Sequence, residues 1–182
     1  MLLTDREIRI ALAEDIIRVE PAPSPDAFSS SSVDLTLDST ARVFRETIGP
    51  GVTIDPGSPD YSFHAISEAL TETVDLNPRH VLARQSLLLA WTRESVDLPI
   101  RAKLSARVEG KSSLARLGLA VHVTAPTIHA GFKGQIQLEI INHGAKEIIL
   151  RPGMRICQLI IETTLGTPEK GYSGIFSGQK SR

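Results

Sequence analysis

The sequence predicts a mostly β domain of sandwich or barrel type, and three observations carry that prediction. Beyond residue 85 the chain is a succession of short apolar or alternating runs: QSLLLAWT, KLSARVE, LAVHVTA, GQIQLEII, EIIL and RICQLIIE. Turn signals such as LPI, HAG and RPG separate them, as expected of strands joined by tight connections. Earlier, SVDLTLDSTARVF places Val33, Leu35 and Leu37 two residues apart and returns to that spacing at Ala41 and Val43. Helical periodicity is confined to short pieces, which argues against a parallel sheet with crossover helices.

The N-terminal segment is the first such piece. Thr4 and Glu7 make a T-x-x-E capping-box pattern ahead of Ile8, Ala11 and Leu12, which share a helical face, so one short helix is predicted. From Arg45 to Arg84, Pro and Gly interrupt GPGVTIDPGSPD and NPRH; turns and short strands are predicted, with SEALTETV as a turn of helix. EGKSSLARLGL predicts a very short helix with Ser112 or Ser113 as N-cap, a Leu-Ala-Arg-Leu body and Gly118 as the left-handed residue that ends it. LAVHVTA reads as a strand with His122 and Thr124 on one face. GQIQLEIIN reads as a half-buried strand, with Ile136, Leu138 and Ile140 on one side and Gln135, Gln137 and Glu139 on the other. The tail GTPEKGYSGIFSGQKSR holds four glycines and little apolar content. It predicts a flexible arm over 166–182 appended to a single domain over 1–165.

Composition narrows the function classes. An apolar fraction of 41% in 182 residues is enough for one core. With 20 basic and 21 acidic residues, no surface is expected to coat nucleic acid or an anionic membrane. The longest apolar run, LLLAW, falls far short of the roughly 20 residues that span a bilayer. MLLTDREIRI lacks the apolar stretch of a secretory signal, and the single Cys157 excludes an internal disulfide and a Cys-rich zinc site. A cytoplasmic protein is expected.

Few side chains are arranged for chemistry. Gly110-Lys111-Ser112 is not a Walker loop, because Ser105 stands where that motif needs its first glycine and no long helix follows. The start of the short helix does aim backbone N–H groups outward beside Lys111 and two hydroxyls, a way to hold phosphate; the plainer reading is a connector between strands. The histidines make no metal-ligand set, with neither H-x-E nor C-x-x-C present, and His122 and His143 read as a sheet residue and an exposed turn residue. Glu139 on an alternating strand is ordinarily a solvated carboxylate. An arginine beside it would favour its charged form and burial its neutral form; a general base needs the two in balance.

Taken together, SSLARLGL, VHVTA, AGFKGQIQLEI and RPGMRICQL resemble the dCTP deaminase branch of the trimeric dUTPase superfamily. The resemblance runs from LTDREI and SSVDLTLD to the terminal GQKSR. It implies a dUTPase-like β-barrel or jelly roll with a short N-terminal helix, assembled as a homotrimer with active sites between subunits. The implied reaction is hydrolytic deamination of dCTP to dUTP and ammonia, with Mg2+ carried on the triphosphate and no zinc. Glu139 matches the family's catalytic glutamate. Ser112 and the Ala125 carbonyl match the groups that hold the attacking water, and Arg116 matches the arginine that orients the glutamate. Lys111, Ser113 and Gln158 match phosphate-side positions, and Tyr172 and Gln179 resemble tail residues that close over the triphosphate.

The sequence also departs from the pattern. Where many relatives read I-D-P-G or I-D-A-G and the aspartate contacts the sugar, this chain reads IHAG, with His129 at the sugar-contacting position. An imidazole never supplies that aspartate's negative charge near pH 7. Pro126 and Thr127 replace a more usual pair, and the tail is short. Two alternatives therefore stand beside the deaminase: a dUTP diphosphohydrolase or bifunctional enzyme of the same fold, and a non-catalytic nucleotide-binding trimer.

Overall fold

The structure, a computed structural model, describes residues 1–45, 52–174 and 178–181. Part of the predicted turn region and arm residues 175–177 and 182 lie outside the described residues. The N-terminal helix, α1 (Asp5–Ala13), starts where predicted, with Thr4 in the N-cap position and Ile8 and Ala11 buried. The capping pattern closes side chain to side chain, the Thr4 hydroxyl bonding the Glu7 carboxylate rather than a helix N–H.

Strands follow in the order β1 (Arg18–Glu20), β2 (Phe28–Ser29) and β3 (Ser32–Phe44). Next come α2 (Phe63–Leu70), β4 (Thr71–Asp75), β5 (His80–Leu82), β6 (Leu87–Asp97) and β7 (Leu104–Gly110). The chain continues with α3 (Ser112–Ala115), β8 (Leu119–Ala120), β9 (Lys133–Asn142), β10 (Ile148–Leu150) and β11 (Arg155–Thr163). The main sheet runs β7-β11-β3-β6-β9-β8, with β2 and β4 also on β3 and β1 on β6; β5 and β10 form a separate ribbon. Every pairing is antiparallel. The result is the mostly β, barrel-like fold the sequence predicts.

The core follows from the period of two. Leu35 and Leu37 from β3, Leu88 and Ala90 from β6, Leu138 and Ile140 from β9 and Leu159 and Ile161 from β11 are all buried. Three register shifts bend the sheet among the described residues, between Leu37 and Ala41 in the β3–β6 pair, between Trp91 and Ser95 in the β6–β9 pair and between Arg155 and Cys157 in the β11–β3 pair. At the second shift the ladder loses partners, and side chains replace them. The Thr92 hydroxyl donates to the Glu94 carbonyl (2.7 Å) and accepts from the Ile136 N–H (3.0 Å), while the Gln135 amide donates to the Thr92 carbonyl (2.9 Å).

Three local expectations are corrected. SEALTETV divides at Leu70: Phe63–Leu70 is helix, and Thr71–Asp75 instead pairs with Thr40–Phe44, where β-branched Thr73 and Val74 suit a strand. LAVHVTA is strand only at Leu119 and Ala120, because the ladder to β9 holds two pairs and the chain then turns away. The short helix begins at Ser112 with Lys111 in the N-cap position, so neither serine caps it. Gly118 ends it as predicted, at φ +95°, and a β-carbon there would collide with the Gly144 backbone.

The described arm residues lie back against the domain. Tyr172 N–H donates to the Ala130 carbonyl (2.9 Å), Gly178 N–H to the Lys133 carbonyl (2.8 Å) and Gln135 N–H to the Gln179 carbonyl (3.1 Å). The Gln179 amide returns a bond to the Gln135 carbonyl (2.9 Å), and the Ser181 hydroxyl bonds Asp38. Gly134 admits this approach: at φ +148° a β-carbon would lie 2.8 Å from the Gln179 carbonyl oxygen and 3.1 Å from its nitrogen. Gly134→Ala is therefore expected to detach residues 178–181. Amide hydrogen exchange at Gln135 should accelerate by about tenfold or more, while the buried amides of β6 and β11 keep their protection.

Candidate active site

Glu139 sits in the middle of β9, directly across from Leu89 on β6. Its face of the sheet is not open to water: Leu89 is 8% exposed and Trp91, opposite Gln137, is 7% exposed. The carboxyl group is half-buried, and its Oε2 is fully buried with no hydrogen-bond partner within the chain. Burial pushes its pKa above the ordinary carboxylate value. The backbone N–H groups of Val123 and Glu139 and the nearby His122 act against that shift without cancelling it. Such a carboxyl group holds a proton more readily than a surface glutamate, as a group that must take and return protons requires.

The segment after β8 makes the other wall. Because the chain leaves the ladder after Ala120, residues 121–128 arch over Glu139 instead of extending the sheet. A cavity of about 500 Å3 results, and Glu139, Ala125, His129, Tyr172 and Gln179 all line it. Phe132 and Ile136 supply an apolar side and Gln137 a polar one. His129 stacks on Tyr172 at 6.0 Å between ring centroids and 25° between planes, and Phe132 meets the same ring at 5.9 Å. Five of the residues singled out in the sequence, about 50 positions apart at the extremes, thus meet around one hollow.

The remaining predicted residues form a second group that does not line this cavity. Ser112, Ser113 and Arg116 belong to α3 and its C-cap and are exposed. The Lys111 ammonium is drawn inward to Asp34 Oδ2 at 2.6 Å. Asp34 itself is 7% exposed, and the backbone register sets it across from Gln158. Gln158 in turn pairs across β11 with Glu109 of β7, two residues ahead of Lys111. Lys111, Asp34 and Gln158 are therefore neighbours at one corner of the barrel. Within one chain, Arg116 is not among the groups that act on the Glu139 carboxyl; the backbone N–H groups of Val123 and Glu139 and the His122 side chain are.

His122 and Asp34 were not picked out as site residues in the sequence. His122 looked like a sheet residue because VHV alternates, and only the early end of β8 turns its ring toward Glu109, at 3.7 Å, and into the field of Glu139. Asp34 lay in a strand pattern, where a polar residue flanked by Val33 and Leu35 ordinarily faces water; its 7% exposure marks it as different. Among the described residues, no three His, Cys, Asp or Glu side chains converge to hold a metal ion. No helix among them is long and apolar enough to cross a membrane.

Similarity to known proteins agrees with this geometry. The family described as dCTP deaminase-like matches residues 2–164. A dCTP deaminase of Shewanella amazonensis is 40% identical over 175 residues, covering 95% of this chain and 89% of its own. A Methanobrevibacter smithii protein named dCTP deaminase, dUMP-forming, is 37% identical over 172 residues, covering 94% and 84%. Among solved structures, the 2′-deoxycytidine 5′-triphosphate deaminase of Agrobacterium tumefaciens superposes with a TM-score of 0.67 at 28% identity. That superposition covers 89% of this chain but 48% of the other, so the chain spans about half of that protein's length. A dUTPase from Staphylococcus aureus phage phi11, at 12% identity and a TM-score of 0.51, shares the fold. On the family match and on these identities over nearly its whole length, the chain belongs to the dCTP deaminase family of enzymes.

Proposed function

We propose that the protein hydrolyses dCTP to dUTP and ammonia, with Glu139 as general base and with no zinc ion held by the protein. The observation that carries the reading is a half-buried carboxyl of raised pKa inside a nucleotide-sized hollow. In this mechanism water is held between the Ser112 hydroxyl and the Ala125 carbonyl. Glu139 takes one proton from it as its oxygen bonds to C4 of cytosine, and passes that proton to N3. It then carries the new hydroxyl's proton to the exocyclic amine; the C4–N bond breaks, ammonia leaves and C4 becomes a carbonyl. Arg116 orients Glu139 and offsets charge as the tetrahedral adduct forms. His129 faces the sugar, and Tyr172 and Gln179 hold the arm over the hollow and exclude water.

Ser112 and Arg116 reach Glu139 when a second copy of the chain supplies α3, as in a homotrimer with sites at its seams. Exposed apolar side chains on both sides of that seam support it: Leu117 beside α3 is 63% exposed and Val123 at the rim of the hollow is 53% exposed. Lys111, Ser113 and Gln158 would then lie on the phosphate side. Mg2+ enters on the triphosphate as part of the substrate and neutralises its charge. The buried lone thiol of Cys157 suits a reducing cytoplasm.

A second reading, continuation to dUMP, is favoured by one observation: a relative 37% identical to this chain carries the description dUMP-forming. His129 weighs against it, since an imidazole cannot replace an aspartate as a permanently anionic base for a second water. Incubation with dCTP, CTP, dCMP and dUTP, following ammonia, uracil nucleotides and pyrophosphate, separates the two. Ammonia and dUTP from dCTP without pyrophosphate is the expected result.

Glu139→Gln should lower turnover of dCTP at least about a hundredfold while nucleotide binding persists. The same variant tests the electrostatics. A carboxyl group whose folded pKa lies above its unfolded value loses stability as pH rises through that window, because the unfolded chain releases the proton first. Glu139→Gln should therefore raise the melting temperature near neutral pH. That gain should vanish at about pH 3.5, where both states are protonated.

A further inference from the structure

The end of the arm meets β9 much as an added edge strand would. Ile136 turns its N–H to the Thr92 hydroxyl on the β6 side, so Gln135 turns its own N–H and C=O to the open edge. There the N–H donates to the Gln179 carbonyl and the C=O accepts from the Gln179 side-chain amide. Gly178 N–H adds a bond to the Lys133 carbonyl. So few bonds at a sheet edge hold a segment only marginally.

A second set of bonds stands behind them. Asp38 on β3 accepts at Oδ2 from the Gln135 amide (2.8 Å) and from the Ser181 hydroxyl, and at Oδ1 from the Ser39 N–H (2.6 Å). The Gln135 side-chain oxygen accepts from the Ser181 N–H (2.6 Å), and its amide nitrogen also reaches the Thr92 carbonyl (2.9 Å). Among the described residues no cationic side chain offsets the half-buried Asp38 charge; hydrogen bonds do, and the one from Ser181 belongs to the arm. A carboxylate is the group this place requires. Both of its oxygens accept, so an asparagine would have to turn its NH2 toward Ser39 or toward Gln135 and Ser181. Asp38, Gln135 and Ser181 do not line the hollow, whereas Gln179, between the bonded residues 178 and 181, does.

We propose that Asp38 is a positioning residue for the reaction: through Gln135 and Ser181 it clasps the end of the arm and sets Gln179 at the hollow before nucleotide arrives. The two ends of the described arm are then held by different means. At the root, Tyr172 packs on His129 and Phe132 and donates its N–H to the Ala130 carbonyl. At the tip, a carboxylate three strands away in sequence from β9 gathers a hydroxyl and an amide. Asp38 touches neither base nor phosphate. It keeps the binding-competent arrangement populated, and apparent affinity for nucleotide falls when that population falls.

This inference rests on the reading that the arm covers a nucleotide at the hollow, and the experiment keeps the two apart. Asp38→Ala, Ser181→Ala, Ser181→Thr and the Asp38→Ala, Ser181→Ala double variant are made in the full chain. Hydrogen exchange at the Gln135 amide reports the bond to Gln179, and exchange at the Tyr172 amide reports the root. Deamination of dCTP gives kcat and KM, and calorimetry gives the affinity for dCTP. Exchange at Gln135 should accelerate at least about tenfold in Asp38→Ala while Tyr172 keeps its rate, and KM should rise about fivefold with kcat within about twofold. Ser181→Ala should move both readouts in the same direction by less, and Ser181→Thr, which keeps the hydroxyl, should behave as the parent. In the double variant the second change should add less than it does alone, because both remove one bond.

Exchange at Gln135 unmoved in both single variants overturns the clasp, and faster exchange with KM unmoved overturns its part in the reaction. Ser181 lies at the end of the chain, so its variants decide the matter if Asp38→Ala does not fold. If the parent binds dCTP without deaminating it, a loss of dCTP affinity in Asp38→Ala keeps the clasp and sinks the assignment of the reaction.

Discussion

The arrangement depends on the register between β6 and β9. Leu88 and Ala90 face Ile140 and Leu138 across that ladder, and all four are buried, so the core fixes which residues of β9 point the other way. With a side-chain period of two, a slip of one residue would drive Glu139, Gln137 and Gln135 into the core and expose the leucine and isoleucines. Hydrophobic burial on one face thereby fixes the position of a carboxyl group on the other. The shift between Trp91 and Ser95 is the one place where the ladder yields, and there Thr92 and Gln135 restore the lost hydrogen bonds.

Position alone does not raise the carboxyl pKa of Glu139; the surroundings on its own face do. Leu89 and Trp91 remove water beside it, and the arch of 121–128 removes it above. Desolvation then outweighs the two backbone N–H groups and the imidazole that favour the charged form. A full ion pair inside the chain would have kept the group ionised. The arginine instead lies on an exposed helix end, away from the hollow, and within the chain burial decides the balance.

The strands were legible from alternation because burial on one face leaves that trace directly in sequence, and Ser32–Phe44, Lys133–Asn142 and Arg155–Thr163 formed accordingly. Resemblance, rather than alternation, singled out Glu139, since an outward glutamate on a strand carries no mark of its depth. What the sequence hid was where ladders stop. VHVTA alternates as a strand should, yet β8 ends at Ala120 because strand pairing needs a partner, and partners are set by tertiary structure. His122 was misjudged for that reason. The partner of Lys111 was hidden for another: the pull of a buried Asp34, 77 positions away in sequence, cannot be read from a local motif.

The arm shows the same logic at the edge of the fold. Its composition supplies little apolar surface beyond Tyr172, which packs on His129 and Phe132, and polar groups provide the contacts at its far end. Burial works against the charge of Asp38, yet hydrogen bonds from Ser181, Gln135 and Ser39 more than offset this and hold its pKa below the ordinary value. Gln135 joins the pieces, since one side chain bonds Asp38, the Thr92 carbonyl and the Ser181 N–H. The arm is therefore fastened to the same bulge that bends β6 against β9. Tyr172 and Gln179, which line the hollow, are seated by reference to the strand that carries Glu139. The described end of the arm is thereby tied to the strand that carries Glu139.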